Sequence, residues 1–217
     1  MIQTIQMLRF AAAMWVAVYH AQLWGWFPHV PQWLQAVAAG GYAGVDIFFV
    51  ISGVIMALGT ARSAPGIRGA GQFALTRFSR VYTGWWPVMG ISLLALAAIG
   101  SLPANVNLLS SALLYPSNFS LHVSTVIWTL VYELYFYLLV AASLLLAPPW
   151  RQRAMAALAG GIAVLVLYFW VTGRYAPGAF DRATLLVWFY AAPLVLEFFA
   201  GYFLYLLLQR FPRQHWG

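Results

Sequence analysis

The chain has 217 residues, 64% of them hydrophobic and only 7% charged, with a formal net charge of +7 and no cysteine. Soluble domains carry roughly 25% charged residues, so this composition and a mean hydropathy of +0.81 exclude a soluble globular enzyme. The missing cysteines exclude disulfides, thiolate metal sites and a cysteine nucleophile.

All eleven basic residues are arginines and fall mainly between apolar runs. That pattern is membrane topology rather than a nucleic-acid surface. Six apolar runs of near-spanning length follow one another, at about 8–27, 43–60, 81–101, 125–147, 154–172 and 184–208. The fold expected is therefore all-α: a polytopic transmembrane helical bundle of about six spans in a single domain over 1–217.

The first run is too long, and too poor in small-residue cleavage sites, for a removable signal peptide, and it carries His20. Pro28 and Pro31 punctuate the next segment, and the second run follows as Gly44-Val45-Asp46-Ile47-Phe48-Phe49-Val50-Ile51-Ser52-Gly53. Asp46 heads that apolar run, where a carboxylate either caps the helix or faces a polar partner, because in hydrocarbon it costs at least about 2.5–3.5 kcal/mol. The glycines Gly40, Gly41, Gly44 and Gly53 suit close helix packing. After Pro65-Gly66, Arg77 and Arg80 precede the third run and share one helix face. Taken alone they are cytoplasmic anchors.

Beyond Pro103, the residues Asn105, Asn107, Asn118 and His122 read as a solvated outer loop. The fourth run holds Glu133, and an intramembrane carboxylate is by default a functional group. Pro148-Pro149 reads as the next loop. The fifth run is apolar throughout, Pro177-Gly178 follows it, and the sixth run carries Glu197 just after Pro193, where it can satisfy backbone groups freed by the proline.

Alternating spans from a cytoplasmic N-terminus put nine arginines inside (9, 62, 68, 77, 80, 151, 153, 210, 213) and Arg174 and Arg182 outside. The bias orients both termini to the cytoplasm. Trp24, Trp26, Trp33 and Trp128 then lie near the outer interface, and Trp85, Trp86 and Trp150 near the inner one. At a rise of about 1.5 Å per residue, His20 and Glu133 lie roughly 10 Å below the outer surface. Asp46 lies a little shallower. Three ionisable groups converge on the outer half, and the arginine pair sits at the inner mouth.

The motifs, in order, resemble those of the acyltransferase-3 family of integral membrane acyltransferases, in its exopolysaccharide-modifying branch. They are Ile5-Gln6-Met7-Leu8-Arg9-Phe10 with Val16-Ala17-Val18-Tyr19-His20, the GVDIFFVISG stretch, Phe73-Ala74-Leu75-Thr76-Arg77-Phe78-Ser79-Arg80, and Trp128-Thr129-Leu130-Val131-Tyr132-Glu133-Leu134-Tyr135-Phe136-Tyr137. A weaker fifth is Glu197-Phe198-Phe199-Ala200-Gly201. Thr83 stands where the family usually has proline, and Pro87 follows later. The family continues for several more spans, so the chain is expected to be an N-terminal portion or shortened member.

The resemblance implies transfer of an acyl group, usually acetyl, from cytoplasmic acyl-CoA to a hydroxyl of an exported glycan or envelope polysaccharide, in a bacterial inner membrane. It implies His20 as general base, with Asp46 or Glu133 orienting the imidazole. It also implies Arg77 and Arg80 on the CoA phosphates and Ser52 and Gly53 along the thioester arm. Acyl-CoA (acetyl-CoA) is then the donor, with no metal; lipid and a glycan acceptor are the partners, and the oligomeric state stays open. Two other classes stay open: a transporter or flippase for a lipid-linked sugar or small solute, since intramembrane His and Glu build proton relays, and a non-catalytic assembly subunit.

Overall fold

The computed structural model describes residues 2–26, 29–61, 63–102, 105–174 and 189–210. Arg62, Arg182, Arg213, Pro28, Pro103, Pro177, Gly178 and the first residues of the sixth run lie outside them. The described residues are helical, with no strand among them. The helices are α1 (Ile2–Leu23), α2 (Gln32–Ala39), α3 (Ala43–Thr60), α4 (Ile67–Ala98), α5 (Leu108–Leu113), α6 (Trp128–Ser143), α7 (Pro148–Val171) and α8 (Pro193–Leu208). Three stretches are long and apolar enough to cross a membrane: Gln32–Thr60, Ile67–Ala98 and Pro148–Val171. Trp128–Ser143 and Pro193–Leu208 are shorter apolar helices. This is the all-α membrane architecture that hydropathy predicts.

The chain forms two compact units, Met1–Gly59 with Leu194–Gly217, and Thr60–Pro193. In the first, small residues bring backbones into direct contact, the usual way for helices to associate where burial from water supplies no drive. A Cβ on Gly44 would lie 2.7 Å from Val16 Cγ2 and 2.8 Å from the Ala12 carbonyl oxygen, so α3 begins flush against α1. Gly41 packs likewise on Trp15 and Tyr19, and the Trp15 indole donates to the Val37 carbonyl at 2.7 Å. Farther along, a Cβ on Gly53 would overlap the Phe198 carbonyl oxygen and lie 2.6 Å from the Tyr202 nitrogen. Gly201 meets Val50 in the same way, its Cβ position 2.7 Å from the Val50 carbonyl carbon. In the segment that Pro28 and Pro31 punctuate, α2 and a 3-10 turn at Gly40–Tyr42 lead straight into α3.

The second unit centres on α6, whose Val131, Tyr132, Leu134, Phe136, Tyr137, Val140 and Ser143 are all buried. Its partner α4 starts at Ile67, well before the expected start of a span at 81, so Arg77 and Arg80, expected on one helix face at the mouth of that span, sit more than two turns inside a continuous helix. Arginine, glutamine and alanine are good helix formers, which lets residues 67–80 extend the apolar segment. Gly66, at φ 107°, makes the turn into it, with its N–H on the Leu144 carbonyl at 2.8 Å. Pro148 and Pro149 begin α7 rather than forming a loop, because proline's missing N–H is harmless in a first turn.

The stretch at 105–124 differs most from expectation. Tyr82 Oη donates to the Leu113 carbonyl at 2.8 Å, Trp85 Nε1 to Ser111 at 2.7 Å, and Trp86 Nε1 to Ala112 at 3.0 Å. Three aromatic donors of α4 thus satisfy the terminal carbonyls of α5, which a helix end leaves unpaired. This sets α5 beside the middle of α4 and gives Trp85 and Trp86 a hydrogen-bonded packing role. His122 is buried, not solvated, with Nδ1 3.2 Å from the Asn118 carbonyl oxygen and Nε2 3.4 Å from Ser117 Oγ. Arg151, read from sequence as a cytoplasmic charge, is also buried; Nη1 donates to the Thr60 carbonyl at 3.1 Å, and Nε and Nη2 have no hydrogen-bond partner among the described residues.

Candidate functional site

The residues singled out by sequence fall in two groups, one in each unit. In the first, His20 occupies the last turn of α1, half-buried, with Nδ1 2.9 Å from the Val16 carbonyl oxygen. A carbonyl can only accept, so Nδ1 carries the proton in this bond and the neutral ring presents its lone pair on Nε2. The orienting bond that a carboxylate makes in a catalytic triad is made here by backbone one turn earlier. Tyr19 and Trp24 flank the imidazole at ring distances of 5.3 and 6.2 Å. No carboxylate of this unit lies within ion-pair distance of His20 among the described residues.

Asp46 lies half-buried in the first turn of α3, where its charge suits the positive end of the helix dipole. Two residues before it, Gly44 presses on the turn of α1 that contains Val16. The start of the Asp46 helix therefore braces the backbone that holds His20. Glu197 of α8 lies within Coulombic reach of Asp46, and its Oε2 is buried without a hydrogen-bond partner among the described residues. Ser52 is half-buried on α3. The open side of Gly53 is filled by the α8 backbone at Phe198–Tyr202, so helix packing accounts for this glycine.

In the second unit, Arg77, Glu133 and Tyr137 come together, whereas residue counting put the arginine at the inner mouth and the carboxylate in the outer half; α4 begins at Ile67, ahead of its apolar run, and so carries Arg77 alongside α6. The Arg77 guanidinium lies 5.6 Å from the Phe73 ring centre and 5.9 Å from that of Tyr137, within cation–π range. Phe73 meets Tyr137 edge-on at 6.3 Å. Tyr137 Oη donates to Glu133 Oε1 one turn earlier on α6. Arg80 is exposed on α4 and still within Coulombic reach of Tyr137. Arg77 and Glu133 form no salt bridge with each other or with any other described residue of this unit. The cation is held against aromatic faces and is not neutralised. Such a group can take an anion without first breaking an ion pair.

Sequence reading did not select Tyr137 or Phe73. The signal was present: each stands four residues from a selected residue, Tyr137 from Glu133 and Phe73 from Arg77, which is the spacing of neighbours on one helix face.

The Acyltransferase domain family matches residues 2–217. A curated relative, the exopolysaccharide production protein ExoZ of Rhizobium meliloti (strain 1021), is 34% identical over 171 residues, which is 74% of this chain and 49% of the relative. The chain spans about half the length of that relative. No solved structure matches it significantly.

Proposed function

The chain belongs to the acyltransferase-3 family of membrane proteins, and from that premise we propose that it transfers an acyl group, acetyl in the first instance, from cytoplasmic acyl-CoA to a hydroxyl of an exported polysaccharide. The observation that carries this reading is Arg77, a half-buried cation kept on aromatic faces with Arg80 close along the same helix and no acidic partner at ion-pair distance among the described residues of its unit. Paired guanidiniums suit phosphate oxygens, and a phosphorylated donor supplies them. A proton-coupled carrier needs no such pair. The name of the ExoZ relative, an exopolysaccharide production protein, supports a polysaccharide acceptor.

In this mechanism His20 is the general base. With Nδ1–H engaged on Val16, Nε2 receives the proton of the acceptor hydroxyl as its oxygen attacks the thioester carbonyl. The tetrahedral adduct collapses, the carbon–sulfur bond breaks, and the CoA thiolate takes the proton that the His20 imidazolium holds, leaving an ester, free CoA and the regenerated base. Asp46 supports the base through the helix start that braces Val16, and Glu133 acts beside the donor arginines. The protein works as a multi-pass component of the bacterial inner membrane, with the donor site toward the cytoplasm and 1–217 forming one membrane acyltransferase domain.

Binding and transfer separate the parts. In the purified chain, Arg77→Gln with Arg80→Gln should weaken acetyl-CoA binding at least 10-fold, and wild-type affinity should fall as salt rises. His20→Ala should abolish transfer and leave donor binding within about 2-fold of wild type, because the base acts on the acceptor. Wild-type donor affinity in the double arginine variant would reduce the pair to a topology anchor and remove this reading.

A further inference from the structure

The arrangement around Arg77 raises a physical question: why do a guanidinium and a carboxylate that both touch Tyr137 not pair? In an apolar interior their attraction is far stronger than in water. Tyr137 stands between them. It is 2% exposed, its hydroxyl donates to Glu133, and its ring lies under the Arg77 guanidinium with Phe73 edge-on beside it. The phenol offers each charged group a separate interaction: a hydrogen bond for the anion and a π face for the cation.

We infer that Tyr137 is a positioning residue that keeps Arg77 and Glu133 apart, so that the arginine stays available to an anionic donor and the carboxylate keeps a fixed orientation. The inference rests on the donor-site reading above. Removing the ring lets Arg77 swing onto Glu133. The resulting ion pair neutralises the cation, and a phosphate must then break that pair before it can bind. Loss of the hydroxyl alone leaves the ring as a spacer and frees only the carboxylate.

The test measures equilibrium binding of tritiated acetyl-CoA to the full chain in lipid nanodiscs. Tyr137→Phe should bind like wild type, within about 2-fold. Tyr137→Leu and Tyr137→Met, two apolar replacements so that one misfolded variant does not decide the matter, should bind at least 10-fold more weakly. Adding Glu133→Gln to either should restore affinity to within about 3-fold of wild type, since no carboxylate remains to capture the arginine. A tyrosine that merely filled space would show no such rescue. If the Leu and Met variants bind like wild type, if Tyr137→Phe fails as badly as they do, or if Glu133→Gln rescues neither, Tyr137 is not the spacer. Arg77→Gln in the same assay tells the two readings apart. If it weakens binding while the Tyr137 variants behave otherwise than stated, this inference alone fails; if it has no effect, the donor site fails and takes this inference with it.

Discussion

Replacing Gly44 by alanine tests the link between the motif around Asp46 and the orientation of His20. The new methyl would lie 2.8 Å from the Ala12 carbonyl oxygen and 2.7 Å from Val16 Cγ2. The valine methyl can rotate away, but the carbonyl is part of the α1 backbone and cannot. Going from 2.8 Å to the 3.4 Å at which ordinary contact begins requires α1 and α3 to part by about 0.6 Å at this turn. Overpacking of this kind costs about 1–3 kcal/mol. The displaced turn is the one whose Val16 carbonyl holds the imidazole. A misplacement of 1 Å can cost about 100-fold in rate, so a shift of this size should lower transfer by about 10-fold. Thermal unfolding in nanodiscs, kcat for transfer and equilibrium acetyl-CoA binding are measured side by side. Stability and kcat should fall while donor affinity holds, because Arg77 and Arg80 are on another helix. Gly161→Ala is the control: nothing lies within 4 Å of its Cβ position, so it should be neutral or stabilise α7 by up to about 1 kcal/mol through helix propensity. A Gly44→Ala protein with wild-type stability and rate would mean that the start of α3 does not brace the histidine.

Trp85→Phe removes a 2.7 Å bond and leaves the Ser111 carbonyl without its buried donor; a loss of about 1–3 kcal/mol is expected in chemical denaturation. Trp86→Phe, at a side chain that is 53% exposed, should cost less, and equal losses would argue against burial as the cause. The cysteine-free sequence allows topology to be read directly. A cysteine at Ser101 should react with an impermeant maleimide on intact cells, while one at Arg68 or Gln152 should react only after permeabilisation; the reverse pattern would overturn the orientation drawn from the arginines. Gly53→Ala and Gly201→Ala each drive a methyl into backbone of the facing helix. Both should destabilise the chain by about 1–3 kcal/mol, and a double variant costing much less than the sum would show that they open the same contact.

Sequence alone determined the class of this protein. A carboxylate or guanidinium is too costly in hydrocarbon to be scattered freely, so fifteen charged residues among 217 mark out the apolar runs, and the order of His20, GVDIFFVISG, Arg77/Arg80 and Glu133 was enough to indicate the family. Hydropathy reports where a segment is apolar, not where its helix begins. For that reason α4 reaches back to Ile67 and encloses its arginines, and Pro148 opens a helix where the proline pair suggests a loop. Polar residues at 105–124 looked solvated because sequence shows their hydrogen-bonding groups but not the donors of Tyr82, Trp85 and Trp86 that meet the α5 carbonyls from another helix. Gly44 and Gly53 were legible as packing positions, yet only the fold identified what they pack on: the α1 turn beneath His20 in one case and the backbone of α8 in the other. The rival claims of Asp46 and Glu133 on the imidazole had the same cause. Counting residues along the apolar runs put Arg77 and Glu133 in opposite halves, yet both meet Tyr137, because α4 begins at Ile67 and carries Arg77 alongside α6; the direction in which a side chain points likewise depends on the neighbours packed around it. Tertiary packing gave the His20 Nδ1 a backbone carbonyl and gave Glu133 the hydroxyl of Tyr137.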